Sequence, residues 1–459
     1  MLLRFVVENY KSFKGQTEFN MSAGKFVRHS DHTIIQNGKR ILKGGFLFGA
    51  NAGGKSNFVQ AIAFARNAVI EGLEKVDYEK SFFRIENEFK SKPGIFQFDI
   101  LSNGYFYSYG FALSYLTGKI EEEWLYKIGD SHDVCVFLRH RNESDQSFVI
   151  ETDLSFPDEK QELRFRVYSE DICSPKMGQV LFLSDIAERS PDEVTIYQPF
   201  LDVYEWFRRL IIIFPTSQYS GIMRLLDDDN NRIKLANLLE YYDTGIIGVS
   251  KIQTDLDKVF SGEDIEELKK DIAKGLKENR EKALVSDSQI MIEVQNKEGT
   301  LIASEIRSNH GNQDDLFDFR DESDGTRRLF DLIPIYQFAM KSRVILVDEL
   351  DRSLHTKVTQ EFIRYFYEIT KDIPSQLIVT TQDSNIMDLN FIRQDEIWFV
   401  ERGLDHSSKL YSLNQYKVRF DKKVERDYLL GRFGAIPVFH QLEMLDEYDE
   451  ESGGINGEN

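Results

Sequence analysis

The chain has 459 residues, 41% hydrophobic and 29% charged, the make-up of an ordinary globular protein with room for more than one lobe. Its 57 Lys and Arg against 77 Asp and Glu give a formal charge of −20 at pH 7, which argues against a strong, non-specific nucleic-acid binder while leaving a local basic patch open. No apolar run approaches the length of a membrane span, and the two cysteines, Cys135 and Cys173, lack metal-like spacing, as expected of a reduced, cytoplasmic protein.

The opening MLLRFVVENYKSF reads as a strand and not as a signal peptide, since it lacks a charged start, a long apolar core and a cleavage site. Residues 1–92 alternate strand and helix signals. GGFLFG is a short buried strand, and Phe58, Ile62 and Val69 fall at helical spacing between Ser56 and Ile70, with Gly72 as the stop. Residues 93–150 change to period-two alternation with aromatic-rich runs on either side of Asn103-Gly104, which predicts an antiparallel β lobe.

Residues 151–218 are mixed and end in the apolar WFRRLIIIFP. From 219 to 285 the pattern is helical and highly charged, with one thin stripe of Leu268, Ile272 and Leu276. We read it as a helical insertion with a solvated face in preference to a partner-binding arm. Residues 286–440 begin with a hairpin around Lys297-Glu298-Gly299-Thr300. After a polar loop come a helix over 325–341, the strand RVILVDE, a helix from His355 to Lys371, and the strands QLIVTT, EIWFVERG and KLYSLNQY. Such alternation predicts an α/β fold with a parallel sheet. The tail at 441–459 is acidic and expected to be disordered.

GANAGGKS, Gly49 to Ser56, matches G-x-x-x-x-G-K-[ST] in full, and it follows a strand and opens a helix as that motif requires. Gly49, Gly53 and Gly54 let the backbone wrap phosphates so that N–H groups and a helix N-terminus face the anion. Lys55 supplies a point charge for β/γ-phosphates, and Ser56 offers a hydroxyl to Mg²⁺. Asn51 and Asn57 complete the candidate ATP-binding set. VILVDE supplies the acids at the C-terminal end of a parallel strand, where ligands sit in such sheets. There Asp348 is the second magnesium anchor and Glu349 the group that polarises water. The alternative, an acidic helix cap, loses weight beside a complete phosphate loop. Thr381 or Gln382, ending the next strand, is placed to sense a γ-phosphate.

DESDGTRRLF, Asp321 to Phe330, is a second anion-binding helix start, with the Ser323 hydroxyl, the Gly325 backbone and the helix dipole. One triphosphate hardly needs two cradles. The pattern makes sense if Ser323, Gly325 and Thr326 face a nucleotide bound to another subunit; the plain alternative is an N-cap.

Together, GANAGGKS, SDGTRRL and VILVDELDRSLH resemble an ABC-type ATPase of the SMC/RecF kind. RFVVENYKSFKGQTEF, YSYGFALSYLTGKIEEEWLY, YYDTGI, DEIWFVER and RDYLLGRFGAIP extend the likeness to stand-alone bacterial AAA-type ATPases of phage-defence and restriction-linked operons. These are the RloA-like and AbiL-like proteins, kin to the ATPase half of the overcoming-lysogenisation-defect nucleases. The resemblance implies an ABC-type P-loop ATPase head that closes head-to-head as a homodimer, or a higher even-numbered oligomer, around two ATP and Mg²⁺. It assigns Asp351 to the subunit-crossing D-loop and places Lys11 to Phe13 near the adenine, with Gln97 the candidate for the Q-loop. The family usually has histidine where this chain has Gln382, which donates a hydrogen bond but carries no charge, so slow hydrolysis is expected.

The related nucleases carry a TOPRIM domain after the ATPase half. Only 22 residues follow Pro437 here, too few for a domain, so an effector is expected on a separate chain, a TOPRIM-type RloB-like protein. The expected function is an ATP-dependent dimeric switch in anti-phage defence. The alternative is a DNA-repair-like ATPase that grips DNA ends, which the charge does not favour. A transporter subunit fits poorly, because the two nucleotide motifs lie far apart around a large inserted lobe. A scaffold that binds ATP without turnover is distinguished by its indifference to loss of Glu349.

Overall fold

A computed structural model describes residues 1–142, 147–189, 195–215, 221–254, 269–270, 272, 276, 282–286, 291–297, 300–419 and 423–437. At its centre a six-stranded sheet runs in the order Ile211–Ile213, Val344–Val347, Gln376–Thr381, Gly44–Phe48, Ile397–Arg402, Ser408–Ser412. The first five strands are parallel and the last pairs antiparallel at the edge. Parallel strands are covered on both faces, hence the unbroken apolar runs VILV and GGFLF. Leu47, Leu346 and Ile378 enter one core; Phe46, Phe48, Ile345, Val347, Leu377 and Val379 enter another on the opposite face. Thr381 pairs with Phe48 and Val379 with Val347, so the loops after these strands leave one edge of the sheet together.

A second, antiparallel sheet has seven strands: Phe148–Glu151, Val134–Arg141, Ile120–Ile128, Tyr105–Leu113, Gly94–Ser102, Leu2–Glu8 and Thr17–Asn20. Its tight turn at Asn103-Gly104 takes positive φ at both residues (47° and 82°), the geometry Asn-Gly favours. Helix Lys55–Glu71 shares the core between the two sheets. Phe58 packs edge-on to Phe5 and Phe19, and Phe64 stacks on Phe96.

Several expectations need correction. Leu2–Glu8 pairs with Gly94–Ser102, so a lobe boundary at 92–93 would cut through a sheet. The 219–285 segment is not wholly helical. After helices Gly221–Leu225 and Asp229–Tyr241 it forms strand Gly248–Thr254, and Lys282–Ser286 is a second strand. These strands flank the antiparallel pair Met291–Lys297 and Thr300–Asn309, whose ladder satisfies the backbone of both. Ile272 and Leu276 are buried beside Ile292 and Val294, whereas Leu268, the turn at 298–299 and the 441–459 tail lie outside the described residues. The helix expected over 325–341 breaks at Pro334 into Asp324–Leu332 and Ile335–Ala339. The last strand, Ser408–Ser412, runs antiparallel because it returns directly beside Ile397–Arg402.

Candidate nucleotide site

The loop from Gly49 leads straight from the Gly44–Phe48 strand into the N-terminus of helix Lys55–Glu71. Its glycines are sterically required. A Cβ at Gly49 would lie 2.2 Å from the Val400 carbonyl oxygen, and Gly54, at φ 113°, would meet Ser408 Oγ at 2.2 Å. Ser408 Oγ donates to the Gly53 carbonyl (2.7 Å) and lies 2.8 Å from Ser12 Oγ, which accepts from Asn57 Nδ2 at 2.7 Å. The loop is thus clamped from the first residues of the chain and from the edge strand.

Lys55 is buried, and its ammonium donates to the carbonyls of Gly49 (2.6 Å) and Ala50 (3.1 Å). Burial pushes its pKa below the ordinary lysine range; Asp351, Asp348 and Glu349 oppose that shift. The acids therefore face the lysine although Lys55 and Asp348 are 293 residues apart in sequence. Asp348 is buried, and one of its carboxylate oxygens accepts from Thr380 Oγ1 at 2.5 Å. Thr380 Oγ1 also accepts from the Glu349 N–H at 2.8 Å. Glu349 has φ 50°, a left-handed conformation rare for a residue with a side chain. Behind it, Arg328 of helix Asp324–Leu332 donates to the carbonyls of Asp348 and Glu349, both at 3.1 Å.

A cleft of about 500 Å³ gathers Asn51, Gly53, Gly54, Lys55, Ser56, Asn57, Glu349 and Gln382 with Lys11 and Ser12. Lys80, Arg84, Arg402 and His406 add basic groups, giving an acidic chain the local positive surface a triphosphate needs. Phe82 offers an aromatic face there, while Phe13 is fully buried in the core. A larger hollow of about 1020 Å³ between Lys14 and Arg432 contains none of the motif residues.

Gln382 and Asp351 are held together: the Gln382 N–H donates to the Asp351 carboxylate (3.2 and 3.4 Å). Thr381 is buried. Ser323 caps helix Asp324–Leu332, its Oγ accepting from the Thr326 N–H at 3.1 Å and lying 2.9 Å from Thr326 Oγ1. A Cβ on Gly325 would lie 2.8 Å from the Ser353 carbonyl, so this turn packs against the loop after Glu349. Ser323 and Asp324 are exposed, and none of Ser323, Gly325 and Thr326 lines the cleft of its own subunit. Gln97 does not reach the cleft either. It sits mid-strand in the antiparallel sheet and donates to Asp99 and Ser108, which corrects its expected place.

Sequence reasoning missed Ser408, Thr380, Arg328, Arg402 and His406, and it reached Ser12 only through the resemblance, without its contact with Ser408. Only Arg328 carried a usable signal, as a charge on the apolar face of a short helix.

No curated protein matches the chain. Among solved structures, it is similar to an SMC head bound to the C-winged helix domain of ScpA (14% identity, TM-score 0.41, covering 90% of this chain and 97% of that one). The SMC head domain from Thermotoga maritima is similar at 12% identity and a TM-score of 0.35, with 90% and 98% covered. The family model described as "AAA domain, putative AbiEii toxin, Type IV TA system" matches residues 46–169 and 180–388. The chain belongs to that AAA family of nucleotide-binding ATPases, and its mainly parallel sheet with the phosphate loop between strand and helix is the α/β architecture of a P-loop ATPase.

Proposed function

We propose that the protein is an ATP-hydrolysing dimeric switch. Each ATP is held between Gly49–Ser56 of one subunit and Ser323, Gly325 and Thr326 of the other. Asn51 and Asn57 flank the phosphate loop, and Lys55 turns from the loop carbonyls to the β/γ-phosphates. Ser56 and Asp348 hold Mg²⁺, which neutralises phosphate charge when bound. The residues fit that ion: Asp348 keeps a carboxylate oxygen beyond the one Thr380 engages, and Ser56 is half-exposed at a helix start. Glu349 orients and deprotonates the attacking water, Gln382 hydrogen-bonds the γ-phosphate, and Asp351 lies at the subunit crossing. The output is control of a separate effector in anti-phage defence, a TOPRIM-type nuclease on the resemblance to RloA-like and AbiL-like proteins.

The observation that carries this reading is the exposed cap at Ser323–Asp324, which lines no part of the cleft in its own subunit while its helix is fastened through Arg328 to the backbone of Asp348 and Glu349. The test is the solution mass of Glu349→Gln with and without Mg-ATP. Doubling with ATP, absent in Lys55→Ala, is expected. An unchanged mass with nucleotide bound would reduce Ser323 to a helix cap.

A further inference from the structure

His29, Asp31 and His32 belong to the short segment that precedes the hairpin Thr33–Gln36 and Lys39–Leu42. One ring nitrogen of each histidine and a carboxylate oxygen of Asp31 lie within 4.8 Å of one another. Both rings are also oriented from outside. His32 Nδ1 is 3.0 Å from Glu396 Oε2, and His29 Nε2 is 3.2 Å from the Leu389 carbonyl. Glu396 is fully buried and accepts further from Tyr367 Oη and the Arg393 N–H, both at 2.8 Å. Arg393, itself buried, donates to the carbonyls of Phe26 (3.2 Å) and Arg28 (2.9 Å) and so fixes the segment that carries His29. A carboxylate or carbonyl held by one ring nitrogen sets tautomer and ring direction and leaves the other nitrogen for a metal, as in metal-bound imidazoles.

Asp31 is exposed, and its carboxylate has no hydrogen bond or ion pair among the described residues. The nearby Lys43 ammonium is spent on the backbone carbonyls of Thr370, Lys371 (3.0 Å) and Asp31 (3.4 Å). We infer that His29, Asp31 and His32 form a binding site for a divalent transition metal of the zinc class. Two imidazoles and one carboxylate suit that class, with water as the fourth ligand. Zinc–nitrogen bonds of about 2.0–2.1 Å put tetrahedral ligands about 3.3 Å apart, so the three groups need to close by roughly 1.5 Å at most. The exposed Asp31 and the half-buried His29 have room for that. The site shares no residue with the nucleotide cleft. It ties the N-terminal hairpin to residues 389–396, which lead into the Ile397–Arg402 strand whose Val400 carbonyl abuts Gly49.

The test uses untagged, nucleotide-free full-length protein, stripped with chelator and titrated with Zn²⁺ and with Co²⁺. Wild type is expected to take up one equivalent, to show the visible bands of low-coordinate Co²⁺, and to gain thermal stability with zinc. Asp31→Ala and His29→Ala, both near the surface, are expected to bind at least about tenfold more weakly and to lose the thermal gain. Wild type that binds no zinc at micromolar concentration overturns the inference, and so do folded variants that bind as wild type does. If either alanine variant misfolds, Asp31→Asn, which keeps the size of the side chain, decides the matter in the same assay.

Discussion

Glu349 is the residue at which local geometry and the proposed chemistry meet. At φ 50° it holds a conformation that costs an L-residue about 1–2 kcal/mol, and it persists because Thr380 Oγ1 and Arg328 pin the backbone on either side. Glycine relieves that strain and alanine does not. Urea denaturation should therefore find Glu349→Gly more stable than Glu349→Ala by about 1 kcal/mol, although both lack the carboxylate. Equal midpoints would mean the turn relaxes in the free protein. Gln382 allows a second test, since among the described residues only its backbone N–H is engaged, by Asp351, and its exposed side chain can be exchanged without unpinning the loop. Gln382→His introduces a group that can carry positive charge, and ATP turnover is expected to rise severalfold; an unchanged rate would mean that a neutral side chain at this position does not limit turnover. At this scale the contiguous motifs were legible because a phosphate loop and its strand and helix flanks are consecutive in sequence. The clamp of Ser12 on Ser408 was not, since the two serines stand 396 residues apart and only the folded chain brings them together.

The element that decides between cap and subunit contact is the start of helix Asp324–Leu332. As a cap, Ser323 satisfies one of the helix's free N–H groups, and its loss costs about 1 kcal/mol. Aspartate caps as well as serine and suits the helix dipole, but it would set a carboxylate against a partner's triphosphate. Ser323→Asp is therefore expected to keep the stability that Ser323→Ala loses and yet to abolish ATP-dependent mass doubling in the Glu349→Gln background. Doubling that survives aspartate would leave the residue a cap and nothing more. The same element shows where pattern reading stopped. Its apolar face was visible, but the break at Pro334 was read through because apolar spacing continues on the far side. Gly248–Thr254 was absorbed into a helical reading for a related reason. The helix before it, Asp229–Tyr241, and the sequence after it are rich in charge, and its partner strand, Thr300–Asn309, lies some fifty residues on.

For the whole molecule, charge and site pull in opposite directions. The cleft collects Lys11, Lys55, Lys80, Arg84 and Arg402, while the chain as a whole stands at −20. Two such chains closing on two nucleotides repel at long range, and only the basic rims of the clefts attract. Salt screens the distant repulsion first, with a Debye length near 30 Å at 0.01 M and about 8 Å at 0.15 M, and it screens contacts buried between subunits least. At saturating Mg-ATP, association of Glu349→Gln subunits should thus tighten as salt rises from roughly 10 to 150 mM. Sedimentation across that range is the measurement. A dimer that weakens steeply over the same range would mean that exposed ion pairs hold the interface. The sign of one salt series thus separates closure opposed by the net charge of the two chains from closure held by exposed ion pairs at the rim.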